Sequence, residues 1–299
     1  MAQANSTVTG DFAGFLKPDA AEDYFRKATY NSSVMQLARK VPLGINGQEI
    51  TFSTGKATAS WVAETGLKPT TETSLGLKSF KPHKIAAISV VSAEVVRANP
   101  GNYMEVLKDE IAVAFAEAFD AAVLHGTSTP FGAYIDQTTK SVELGTTAAA
   151  AGGTYGDIVA GLKLLADDKK KLTGFAFDSV VEPTFLGSVD TTGRPLFIDT
   201  PLADTTSVIT PGRLIGRPAF LGDGISTEAG IVGYGGDWSQ LVWGSVGGIS
   251  YDVSTQTAVT IGGTLTSLWE HNLVAIRAEA EFGVLINDVD SFVKYTNAV

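Results

Sequence analysis

The chain has 299 residues, of which 44% are hydrophobic and only 18% charged; its net charge is −10 and it has no cysteine. The missing cysteine excludes disulfide scaffolds, zinc-thiolate and iron–sulfur centres and cysteine nucleophiles, and the acidic balance speaks against a protein that neutralises nucleic-acid phosphates. The apolar content excludes wholesale disorder, and no apolar run nears the ~20 residues of a membrane-spanning helix. No basic stretch followed by an apolar one opens the chain, so the expectation is a protein that remains in a cytoplasm, with no membrane partner.

Residues 1–14 are polar and small and read as an arm. Residues 20–39 carry helical stretches broken at Asn31-Ser32-Ser33, whose side chains compete for backbone hydrogen bonds; Pro42 and Gly44 end them. Residues 47–52 and 58–64 are strand candidates. Residues 66–82 make a long, weakly patterned excursion through Thr70, Thr71, Thr73 and Ser74. Its apolar residues Leu67, Leu75, Leu77 and Phe80 are too few for a core of their own. The segment is therefore a mobile hairpin or an arm laid on something else. Residues 85–91 are apolar on both faces, which predicts a buried strand, and Ser92 follows in the position of a helix N-cap.

Residues 100–125 show the strongest periodicity. Met104, Leu107, Ile111, Phe115, Ala118 and Ala122 recur at steps of three and four, with Val106, Val113, Phe119 and Val123 widening the stripe. Glu105, Asp109 and Glu110 suit the start of this helix, and Gly126 its end. A second helix is predicted over 155–168, with Lys169, Lys170 and Lys171 at its C-terminal end. A strand over 175–181, a short helix opening at Pro183 and a loop over 191–195 follow. Leu214 to Phe220 enter a strand after a turn, short strands run over 230–260, and 265–281 fits either a helix or a long strand. Residues 282–286 close as a strand, with Phe292 and Tyr295 after it.

The catalytic inventory is thin. His83, His125 and His271 are nowhere spaced as a helical metal pair. Gly233-Tyr234-Gly235-Gly236-Asp237-Trp238 approaches a dinucleotide loop but ends in Trp where that pattern needs Gly. Gly224-Ile225-Ser226-Thr227-Glu228 lacks the second Gly of a nucleophile elbow. Asn287-Asp288-Val289-Asp290 lacks the rest of a calcium loop and reads as a polar turn. Asn5-Ser6-Thr7 and Asn31-Ser32-Ser33 match a glycosylation acceptor only as background. The expectation is no enzyme, no cofactor and no metal. Arms and loops that cannot pack on their own subunit point instead to partners of the same kind.

Several segments, taken in order, resemble the tailed-phage major capsid proteins of the HK97-like fold. They are Ala59-Ser60-Trp61-Val62-Ala63-Glu64 with Leu67-Lys68-Pro69, Lys84-Ile85-Ala86 through Ser92-Ala93-Glu94-Val95-Val96, and Asp120 with Leu124-His125-Gly126-Thr127 and Pro130-Phe131-Gly132. Leu214-Ile215-Gly216-Arg217-Pro218, Gly236-Asp237-Trp238-Ser239, and Asn272 through Arg277-Ala278-Glu279 continue the series. The resemblance implies an α+β subunit with an N-terminal arm and short helix over 1–43 and an E-loop hairpin over 44–83. It further implies a discontinuous P-domain with a long spine helix over 84–133 and 248–299, and an A-domain over 134–247.

It also implies self-assembly through pentamers and hexamers into an icosahedral shell around double-stranded DNA. The shell would carry a portal, with scaffolding or decoration proteins as further partners, and would be built in the host bacterial cytoplasm and retained in the virion. The related alternative is an encapsulin-like nanocompartment shell. Trp61, Glu64, Leu67, Lys68, Leu75, Leu77 and Phe80 are the expected E-loop contacts to a neighbouring subunit. Asn272 and Glu279 match the P-domain positions at which some family members form an intersubunit cross-link. Counting on from Lys68-Pro69 places Leu77 where the reactive lysine belongs and Lys78 one residue off, facing the other way on a strand. No cross-link is therefore expected.

Overall fold

The computed structural model describes residues 32–53, 59–68, 70, 75–98, 103–148, 152–188, 197–199, 209–226 and 230–297. The arm at 1–14, the helical stretch before residue 32, the first sequon, Pro69, the threonines at 71 and 73 and the loop at 191–195 lie outside them.

The first described element is α1, Ser33–Leu37, capped by Ser32, whose Oγ accepts the Met35 N–H. A two-residue strand β1, Arg39–Lys40, leads to the hairpin of β2, Gln48–Ser53, and β3, Leu75–Phe80, which pair antiparallel from Gln48↔Phe80 to Ser53↔Leu75. The strand expected at 58–64 is absent; described residues 59–68 are loop, closed by a turn in which Gly66 N–H donates to the Ala63 carbonyl at 2.9 Å. Seven loosely alternating residues do not make a strand where no second strand offers its edge.

β4, His83–Ser92, runs into α2, Ala93–Ala98, where the Glu94 N–H reaches Ser92 Oγ at 3.2 Å as the cap predicts. The long helix α3, Tyr103–Leu124, has 22 residues, hence about 33 Å of length. Gly126 follows with φ +74°. A side chain there would strike the Tyr134 ring at 2.7 Å. The buried face of α3 differs from the expected stripe: Ala118 and Val106 are exposed, while Lys108 and Asp120 are buried among Ile111, Phe115 and Phe119.

Further along come β5, Ser141–Leu144; α4, Gly153–Asp167; β6, Gly174–Asp178; α5, Glu182–Gly187; and β7, Phe197–Asp199. β8, Thr210–Leu214, turns through Ile215 and Gly216 into β9, Arg217–Gly222. Then follow β10, Ile231–Gly236; β11, Leu241–Ser245; β12, Ser250–Ser254; β13, Ala258–Ile261; β14, Thr264–Ser267; β15, Leu273–Ile286; and β16, Phe292–Asn297.

Two sheets organise these strands. β15, about 46 Å long at the rise of a strand, pairs with β4 along one side and with β12 and β11 along the other; β1 completes this five-stranded sheet. Residues 265–281 thus hold the end of β14, a turn over 268–272 and most of β15, and no helix. The second sheet has the order β5-β16-β10-β6-β9-β8-β7. It is covered on both faces. One core gathers Phe175, Phe177, Val232, Val293 and Tyr295 against α4 and α5; the other joins Ala176, Tyr234 and Phe292 to α1, α3 and the five-stranded sheet.

The sheets divide the chain elsewhere than at the expected 247/248 boundary. β11 lies before it, yet pairs with β15; β16 lies after it, yet pairs with β10 and β5. Pairing partners so distant in sequence leave no local signal.

The glycines near 233–236 belong to close packing, not to a phosphate loop. A Cβ at Gly233 would fall 2.1 Å from Phe177 Cδ1, and one at Gly236 2.5 Å from Phe292 Cδ1. Asp288 caps its own turn by accepting the Asp290 N–H at 3.1 Å and pairs with Lys170, the behaviour of a polar turn.

Candidate assembly interface

Among the described residues, the β2–β3 hairpin is tied to the subunit near its base. Phe80 is 4% exposed and fits where the paired glycines Gly244 and Gly283 leave space: a Cβ at Gly283 would meet Phe80 Cδ2 at 2.9 Å, and one at Gly244 would meet Leu43 Cβ at 2.8 Å. Phe80, expected as a contact to a neighbour, is therefore an anchor within its own chain. Three residues earlier the side chains stop packing. Leu77 and Leu75 are 66% and 75% exposed, Leu67 is 96% and Trp61 104%, and Glu64 and Lys68 beside them are exposed as well. An indole and three leucines held in water by one hairpin form the sort of apolar surface that marks an interaction site.

Lys78 is engaged at home. Its Nζ donates to the Asn287 carbonyl at 2.6 Å and lies 5.3 Å from the centre of the Phe52 ring. On β3 it points opposite to Leu77, as the two-residue strand period requires.

Asn272 and Glu279 are far apart within one subunit. Asn272 sits in the turn before β15 with φ +53°, exposed, its carbonyl taken by the Ala93 N–H at 2.9 Å. Glu279 lies seven residues on, about 23 Å along an extended chain. Its carboxylate stands between Lys84 Nζ at 3.2 Å and Arg277 Nη1 at 3.6 Å, and Arg277 also donates to Asp252 at 2.7 Å.

The structure adds apolar surface that the sequence reading missed. β4 is half-open: Val91 is buried and Ile85 and Ala87 pack on the core, but Ile88 on the other face is 54% exposed. The strand is apolar on both sides, yet its own subunit covers only one, and its outer edge pairs with no strand among the described residues. The β13–β14 hairpin likewise projects, with Leu265 and Trp269 exposed beyond buried Leu268. The advance signal at β4 was its apolar residues on both faces, which predicted a strand buried on both sides; its own subunit meets that expectation on one side.

His83, His125 and two buried carboxylates are held by neighbours within the fold. His83 lies edge-on to Phe131 with centres 5.7 Å apart, and His271 is exposed. His125 Nδ1 is 2.8 Å from Tyr234 Oη, and burial holds its pKa below the ordinary value. Asp157 and Asp178 are buried and saturated by backbone N–H donors from Gly145 and Thr147, and from Val180, Ile225 and Ser226, respectively. Among the described residues no group of three metal-ligating side chains converges.

Known proteins resemble the chain over most of its length. The Phage capsid family matches residues 13–297. The probable major capsid protein gp17 of Mycobacterium phage D29 is 45% identical over 304 residues, covering 99% of this chain and 95% of that one. A solved structure from Gordonia phage Cozz superposes with a TM-score of 0.64 at 26% identity, covering 90% of this chain and 87% of its own. Another, from Mycobacterium phage Adephagia, gives a TM-score of 0.71 at 14% identity over 98% and 99% of the two chains. With the family matched over residues 13–297 and a relative 45% identical over nearly the whole length, the chain belongs to the phage capsid family.

Proposed function

We propose that this protein is the major capsid protein of a tailed phage, a structural subunit and not an enzyme. Copies assemble through pentamers and hexamers into an icosahedral shell around double-stranded DNA, built in the bacterial cytoplasm and retained in the virion. The observation that carries the reading is the β2–β3 hairpin, fixed by Phe80 at its base and exposing Trp61, Leu67, Leu75 and Leu77 beyond it. This is the E-loop of the fold, and its apolar side chains are the contacts to an adjacent subunit.

The five-stranded sheet with α3 corresponds to the P-domain, and the seven-stranded sheet with α4 and α5 to the A-domain. The A-domain then comprises about 134–240 with β16 returning to it. A net charge of −10 suits a container that encloses DNA without gripping it. A portal at one vertex, and scaffolding or decoration proteins, are the further partners of such a shell. The encapsulin-like alternative loses ground because the matched family and the curated relative are those of phage capsids.

The shell is held without covalent links. Lys78 is committed to Asn287 of its own chain, Leu77 occupies the reactive position, and Glu279 is neutralised by Lys84 and Arg277. The test is negative-stain microscopy of the purified protein, followed by a denaturing gel of the same particles. Closed particles or capsomer rings that collapse to one band at 31.3 kDa are expected. A small discrete oligomer would contradict the shell, and a ladder of multimers would contradict the non-covalent assembly. A proteinaceous cargo in place of DNA would restore the compartment reading.

A further inference from the structure

β4 is an edge strand with none of the usual protection. Natural sheets guard such an edge with a lysine, a proline, a bulge or a covering segment. From Ile85 to Val91 the residues are Ile-Ala-Ala-Ile-Ser-Val-Val, with no charge and no proline. The register with β15 runs unbroken from Phe282↔His83 to Leu273↔Ser92, so there is no bulge. β15 takes one edge of the strand, and among the described residues no strand takes the other. Alternate N–H and C=O groups of this ten-residue strand therefore point outward.

A cleft opens beside the start of β4, between the strand and the last two turns of α3. Its volume is about 430 Å³, within the ~300–1,000 Å³ of sites that enclose small ligands. Ile85, Phe119, Phe131 and Phe282 form its apolar walls, while Ala118 and Ala122 bring only methyl groups from the helix and leave it wide. An open strand edge above an apolar cleft is the layout of a site for an extended chain. Main-chain hydrogen bonds supply the affinity there, and the cleft takes every second side chain. The chain itself displays such a segment. On β3, Leu75 and Leu77 lie two residues apart on one face, 75% and 66% exposed. Neither lines the cleft of its own subunit. β2 and β3 form a sheet of two strands, which is marginal in water and gains from a third.

We propose that the open edge of β4 and the cleft beside it receive the hairpin of a second copy: β3 of that copy adds as a strand along β4 and lays Leu75 and Leu77 between β4 and α3. The proposal rests on the reading of the hairpin as a contact to a neighbour, and it names the surface the hairpin meets. The projecting leucines and the receiving cleft occupy different places on one subunit. The contact is therefore head to tail, the kind that closes rings of subunits rather than two-fold pairs.

Hydrogen exchange of the natural chain tests the edge, by comparing the peptide 83–92 in dissociated subunits and in particles. About half of its amides are expected to exchange freely in the subunit and to become protected in particles. Equal protection in both states would overturn the proposal. Cross-linking tests the cleft, since a chain without cysteine makes an introduced pair its sole thiols. Leu77→Cys and Ala118→Cys, both exposed in the subunit, are combined, and particles are treated with a short bis-maleimide. A ladder of linked chains is expected from the double variant and single chains from each single variant. No ladder from the pair, or a ladder from one cysteine alone, would overturn the site. Ala118→Trp fills the cleft from an exposed helix position. It is expected to raise the protein concentration needed for particles by about tenfold or more, as Leu75→Ser with Leu77→Ser does, at an unchanged unfolding midpoint. Hairpin substitutions that act while Ala118→Trp does not would overturn this proposal and leave the hairpin as a contact elsewhere; no effect from either would overturn the hairpin reading as well.

Discussion

Replacing Phe177 by alanine is expected to destabilise the subunit by about 3–5 kcal/mol, among the largest effects of any single truncation here. Phe177 is fully buried on β6, a central strand of the seven-stranded sheet. Its ring stands edge-on to Phe185 at 4.8 Å and close to Tyr295 at 5.2 Å and Phe175 at 5.8 Å, so its removal opens a cavity among three other aromatic rings. These rings come from β6, α5 and β16 and are themselves held in the close-packed core, which leaves the cavity little means of collapse. The same ring is the reason residue 233 is glycine, since a methyl there would lie 2.1 Å from its Cδ1.

Gly233→Ala alone is therefore expected to cost about 1–3 kcal/mol by overpacking. In the Phe177→Ala background the ring clash vanishes, although the Ala176 carbonyl, 2.8 Å from the same methyl, remains. The pair should cost less than the sum of its parts, because contacting residues couple. Guanidinium unfolding followed by tryptophan fluorescence measures all three variants. Strict additivity would show that the two positions do not share this space.

Trp61→Ser with Leu67→Ser should behave in the opposite way. Both side chains are almost fully in water in the subunit, so its unfolding midpoint is expected to stay within about 0.5 kcal/mol of the natural value. Assembly is expected to suffer. A buried tryptophan at an interface centre contributes on the order of 2 kcal/mol or more, about 30-fold in the association constant of each contact. Every copy in a shell repeats the contact, so the protein concentration needed for particles should rise by at least tenfold. Light scattering across a dilution series reads this directly. Particles forming at the natural concentration would remove the hairpin from the interface.

The contrast between these variants follows what was legible in the residues. The helix over 103–124 could be read from Met104, Leu107, Ile111 and Phe115, since helix periodicity is local, and so could its end at Gly126. The burial of Asp120 could not, for the donors that make it tolerable come from Ser32 and Ser33, nearly ninety residues away. The two apolar faces of β4 were legible, but what covers each was not. A face closed by a second subunit has the same composition as one closed by the chain itself. Phe80 and Leu77 show the same gap within one strand: similar residues three apart, one seated against Gly283 and the other in water. The helix-or-strand ambiguity at 265–281 was resolved only by β4 and β12, whose edges β15 joins over long sequence distances.

The central claim is that the exposed hairpin is covered by a second copy of the chain. A cryo-electron-microscopy reconstruction of the assembled particle tests it most directly. The expected map shows the hairpin of each subunit lying on an adjacent one, with Trp61, Leu67, Leu75 and Leu77 buried between them and no continuous density joining Lys78 to a neighbour. Hairpins that stand free in solvent, or fold back on their own subunit, would contradict it.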